Sequence, residues 1–127
     1  MVYLFVGMGG IIGSLLRFGL SLLAVNIWGE RFPIGTLLIN LTGAFLLGWF
    51  TSRFGQSKKL HPYFITAFST GVVGSYTTFS TFCLETVRLI EAEAYFKGLI
   101  YVLLSLFGGL LFVKMGQNFG DETRKAK

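Results

Sequence analysis

Gly74-Ser75-Tyr76-Thr77-Thr78-Phe79-Ser80-Thr81-Phe82 places small and hydroxyl residues, with two phenylalanines, inside an otherwise apolar segment. The segment runs from about Tyr63 to Ile90. At about 1.5 Å per residue, a straight helix of that length overshoots a bilayer core of about 30 Å. The helix is therefore expected to break, near residues 71–78. Irregular backbone at membrane depth is tolerated only where protein or a polar cavity satisfies it. A broken helix lined with hydroxyls and ring edges suggests an ion site.

The rest of the chain supports a membrane setting. Of its 127 residues, 53% are hydrophobic and 13% charged, and the mean hydropathy is +0.67. A soluble domain carries about 25% charged residues. Cys83 is the single cysteine, which excludes an internal disulfide. The net charge of +5 gathers in loops and at the C-terminus, at Lys58, Lys59, Arg124, Lys125 and Lys127. That is the pattern of cytoplasm-facing membrane loops, not of a nucleic-acid surface. The N-terminal apolar stretch has no basic flank or small-residue cleavage site, so it reads as a retained span.

Four spans follow: about 2–24, 34–52, the broken 63–90, and 96–118. The expected fold is all-α integral membrane, one four-helix domain over 1–127. Both termini then lie on one side. That side collects Arg53, Lys58, Lys59, Lys114, Arg124, Lys125 and Lys127, against Arg31, Arg88 and Lys97 on the other. The bias leans towards cytoplasmic termini. Four helices enclose little volume, so a pore is expected to need an oligomer. Seventeen glycines favour close packing. Gly9 and Gly13 form a GxxxG that serves either assembly or packing within the chain.

Several polar residues fall at membrane depth. Arg17 costs at least about 2.5 kcal/mol to insert. It reads as a snorkelling residue, an anion attractor, or an anchor for carbonyls of the break. Thr36, Asn40 and Gly43 share one helical face. Asn40 makes either an interhelical hydrogen bond or an amide donor for a dehydrated anion, having two N–H donors and no charge. Phe79 and Phe82 share a face if helical, and their ring edges carry partial positive charge. They pack against neighbours or weakly coordinate an anion. Ser80 and Thr81 add hydroxyls, and Tyr101 and Ser105 on the fourth span extend a donor track or simply pack. Glu85 is expected to pair with Arg88, the alternative being a place at a pathway mouth. His61 reads as an exposed loop residue. No metal-ligand cluster, nucleophile–base pair or phosphate loop is present in the sequence, so catalysis has no support.

Together these residues resemble the Fluc (CrcB) family of fluoride channels. Gly10-Ile11-Ile12-Gly13-Ser14-Leu15-Leu16-Arg17 is similar to its first-span GGxxGxxxR pattern. Gly35-Thr36-Leu37-Leu38-Ile39-Asn40 is similar to its GTLxxN motif, and Thr77-Thr78-Phe79-Ser80-Thr81-Phe82 to its TTFSTF signature. The resemblance covers nearly the whole chain. It implies a bacterial cytoplasmic (inner) membrane protein that exports fluoride passively and confers fluoride resistance. It implies an antiparallel, dual-topology homodimer with two pores. It also implies a structural sodium ion at the dimer centre, held by backbone carbonyls of Gly74 and Thr77. Asn40 would be the pore amide, Phe79 and Phe82 the aromatic box, Tyr101 and Ser105 the fourth-span track. The basic bias keeps open a heterodimer with an oppositely inserting paralogue.

Two other readings fit less well. A small four-span exporter of cations needs a carboxylate in its first span, where this chain has Arg17. An accessory subunit using glycine faces only to assemble leaves Asn40 and the hydroxyl-rich break without a purpose.

Overall fold

The computed structural model describes residues 1–55 and 60–125, without the side chain of Arg124. The basic residues Lys58, Lys59 and Lys127 lie outside the described residues. Among the described residues, all regular structure is helical: α1 Val2–Trp28, α2 Ile34–Phe54, α3 Pro62–Thr66, a π-helical stretch Ala67–Val73, α4 Gly74–Tyr76, α5 Phe79–Glu91 and α6 Tyr95–Lys125.

Local signals set most boundaries. α1 stops where Gly29 takes φ 70°, a backbone favoured by glycine, and its N–H bonds Val25 O at 2.8 Å. Pro33 precedes α2. Pro62 opens α3 at a position where its missing N–H costs nothing. His61 is exposed, as expected, but its Nδ1 accepts from Tyr63 N at 3.3 Å and so caps α3. α6 runs past the expected end at 118 to Lys125. No proline interrupts that tail, and Gly120 within it seats against the backbone of α2 at Trp49 and Arg53.

Among the described residues, three helices are long and apolar enough to cross a membrane: α1, α2 and Tyr95–Thr123 of α6. The third span crosses in two pieces, 62–76 and α5, each shorter than the roughly 20 residues one helix needs. The pieces part at Thr77 and Thr78. Both are extended, with ψ of 159° and 126°. The expected break is therefore present, two residues wide.

Spans 2 and 4 run side by side in the same direction. A Cβ on Gly48 would strike Val113 O, and one on Gly116 would strike Phe45 O. Such contact between backbones is what small residues permit in membranes. Ser52 Oγ donates to Asp121 Oδ1 at 2.6 Å near the ends of the pair. α1 lies along the third span in the same way. Gly9 meets Ala67 O and Gly13 meets Val72 O, with Tyr76 N 3.0 Å from a Cβ at Gly13. The first-span GxxxG thus packs within the chain.

The outer surface is apolar. Phe107 is 62% exposed, Leu110 61% and Leu15 65%. Water would penalise so continuous an apolar exterior, whereas lipid accepts it.

Candidate functional site

The break rests on α2, which approaches it with the three residues expected to share a face. Gly43 comes first: a Cβ there would overlap Thr77 Cγ2. Asn40 is one turn earlier and holds the backbone of Thr78 at both its N–H and its C=O. Its Nδ2 donates to Thr78 O at 2.9 Å, and its Oδ1 accepts from Thr78 N at 2.8 Å. Thr36, a further turn back and buried, donates to Glu85 Oε1 at 2.8 Å. The interhelical role of Asn40 is thus present, and one of its two Nδ2 hydrogens is still available.

Holding Thr78 this way changes the carbonyls before it. In a continuing helix the Thr78 N–H would bond Gly74 O. Here it is turned to Asn40, which releases that carbonyl. Gly74 is exposed, and a Cβ on it would find no atom nearer than Ser69 O at 3.9 Å. A groove of about 300 Å³ opens at this point, lined by the polar Asn40, Ser69, Thr77 and Thr78, by Gly43 and Gly74, and by the apolar Ala44, Leu47, Val73 and Phe79. Neutral carbonyl oxygens beside an open groove suit a hard cation. The donor set therefore fits sodium, although one chain offers too few oxygens to surround it.

α5 restarts the helix from Thr78. The Thr78 Oγ1 accepts from Thr81 N at 3.2 Å, a cap worth about 1 kcal/mol, and donates to Thr81 Oγ1 at 3.0 Å. Thr81 is thus tied into the start of α5, while Ser80 is exposed. Phe79 and Phe82 are neighbours, with centroids 5.8 Å apart. Phe82 continues to Tyr101 at 5.2 Å, and Tyr101 to Phe32 at 5.7 Å, edge-on. Phe79 is 77% exposed, so the ring chain starts at the surface and runs inward to Tyr101, which has no exposed area.

Glu85 departs from expectation. It does not pair with Arg88, which is exposed. Its carboxylate takes Thr36 Oγ1–H on one oxygen and Tyr101 Oη–H, at 2.7 Å, on the other. Half-buried, Glu85 has a donor on each carboxyl oxygen, and the two hydroxyls on neighbouring spans supply these hydrogen bonds without a partner charge. The placement of Thr36 opposite α5, one turn from Asn40, was the available signal.

Ser105 Oγ is buried and, among the described residues, without a hydrogen-bond partner. It lies one turn beyond Tyr101 on α6, as expected. Arg17 is half-buried, one turn beyond Gly13 on α1, and forms no hydrogen bond or ion pair with the described residues. It therefore does not anchor carbonyls of the break within one chain.

These features describe a small multi-pass membrane protein built around a broken helix, with a groove and an aromatic chain meeting at the break. Comparison with known proteins agrees. Residues 4–117 match the family model described as CrcB-like protein, Camphor Resistance (CrcB). A relative from Geobacillus kaustophilus named Fluoride-specific ion channel FluC 2 is 47% identical, over 98% of this chain and 97% of its own. Fluoride-specific ion channel FluC 1 of Bacillus cereus is 43% identical, over 95% of this chain and 88% of its own. FluC 2 of Lactobacillus johnsonii is 44% identical, over 90% and 92%. The chain belongs to the CrcB family of bacterial multi-pass membrane proteins.

Proposed function

We propose that the chain is a fluoride-selective channel of the cytoplasmic membrane, letting the ion leave passively and so giving fluoride resistance. The observation that carries this reading is near full-length identity to relatives named fluoride-specific ion channels, at a chain whose break presents matching donors. As a channel the protein is not an enzyme.

Fluoride is small and strongly hydrated, so a pathway must replace its water with closely placed donors. The edges of Phe79 and Phe82, the free hydrogen of the Asn40 amide, and the hydroxyls of Ser80, Thr81 and Ser105 are donors without fixed charge. Such groups gain strength in a low dielectric yet do not trap the ion. Tyr101 spends its hydroxyl on Glu85. Its part in the track is the ring beside Phe82 and the placing of that carboxylate. Arg17 raises the local concentration of anions.

The working unit in this reading is a homodimer of two oppositely oriented copies, each copy contributing to two pores. The groove supports it, since two chains closing over the break double the carbonyls available. Gly74 and Thr77 of both copies would hold a sodium ion, which would supply a fixed positive charge between the pores. A paralogue could replace the second copy, and co-reconstitution separates the cases.

The aromatic assignment has its own test. Phe79→Ile and Phe82→Ile, each reconstituted as intact dimer, are expected to slow fluoride efflux roughly tenfold, the scale of one lost ring interaction. Wild-type efflux from both variants would remove the rings from the pathway.

A further inference from the structure

Tyr76 closes α4, between Gly74 and Thr77, two residues that line the groove, and it is buried. Its hydroxyl lies 2.8 Å from Thr42 Oγ1. Thr42 settles the direction of that bond, because its own hydrogen goes to Leu38 O within α2 at 2.7 Å. Tyr76 Oη–H is therefore the donor. The ring reaches Thr42 by crossing Gly43, where a Cβ would lie 3.4 Å from Tyr76 Cδ1.

α2 thus grips the break twice, at the Thr78 peptide through Asn40 and at the Tyr76 phenol through Thr42. The second grip matters because α4 is three residues long. A π-helical stretch precedes it and extended Thr77 follows it, so little regular helix fixes its direction. We propose that the Tyr76–Thr42 hydrogen bond is a positioning strut: it sets the relative placement of the Gly74 and Thr77 carbonyls, and with it the affinity of the break for sodium. This rests on the cation reading above. The strut touches neither the ion nor the fluoride donors. Removing it leaves the donor atoms in place and loosens their spacing, so it lowers sodium affinity without lowering the maximal fluoride rate.

The test uses full-length dimer equilibrated in sodium-free buffer, with sodium then added at constant ionic strength. Two readouts are taken: the thermal unfolding midpoint in detergent, and fluoride efflux from liposomes. Bound sodium raises the unfolding midpoint by mass action. In Tyr76→Phe the sodium concentration giving half the effect is expected to rise roughly tenfold, the worth of one hydrogen bond. Efflux at saturating sodium stays at the wild-type level. Thr42→Val reproduces the shift, Thr42→Ser restores the wild-type value, and the double variant Tyr76→Phe with Thr42→Val shifts no further. Thr42 is on the exposed side of α2, so its variants keep the test available if Tyr76→Phe accumulates poorly. Wild-type sodium midpoints in both Tyr76→Phe and Thr42→Val overturn the strut. A wild-type protein that passes fluoride with no sodium effect on either readout removes the cation and the strut together, leaving the fluoride reading intact.

Discussion

Gly13→Leu is expected to destroy the fold, while Gly7→Leu leaves it intact. At position 13 any side chain meets the carbonyl of Val72 and the amide of Tyr76. Both are backbone atoms of the segment leading into the break, so no rotamer change relieves the clash. Overpacking a well-packed core costs about 1–3 kcal/mol even where side chains can adjust. Here α1 must separate from the third span, and the cost is expected to exceed roughly 3 kcal/mol. Gly7 has open space within 4 Å. Size-exclusion profiles and thermal unfolding in detergent read the difference. A monodisperse, wild-type-like Gly13→Leu protein would contradict the packing of α1 against the break.

Asn40→Asp is expected to abolish fluoride passage. The substitution removes the donor that reaches Thr78 O and sets a carboxylate oxygen against that carbonyl, 2.9 Å away in the native amide contact. It also puts a negative charge beside the proposed anion pathway. Two unit charges about 4 Å apart repel by about 4 kcal/mol at an effective dielectric of 20. That corresponds to a flux reduction on the order of 1,000-fold. Efflux from liposomes containing dimer of verified size measures it. Wild-type efflux from Asn40→Asp would take Asn40 off the pathway and leave it only its bond to Thr78.

How much of this was legible in the sequence varied with the range of the interaction. The break followed from length and from the hydroxyl run at Thr77–Thr81, both local. The shared face of Thr36, Asn40 and Gly43 followed from helical spacing, and each residue does meet the third span. The π-helical stretch was not legible. No local pattern in Ala67–Val73 demands it. In the fold, Gly71 abuts Val6 O and Gly9, so α1 shapes that backbone from a distance. Glu85 was misread for a related reason. Arg88, one turn away, is the obvious partner in sequence, but the packing brings hydroxyls of α2 and α6 onto the half-buried Glu85 while the guanidinium stays exposed. Tyr76–Thr42 was missed because both residues read as ordinary span residues until α2 is laid across the break.

Fluoride efflux from liposomes containing the purified wild-type protein, with chloride efflux measured in parallel, tests the central claim most directly. The account predicts fast fluoride release with little chloride release, from the homodimer alone. No fluoride release from well-folded homodimer, with none restored by a co-reconstituted paralogue, would contradict it.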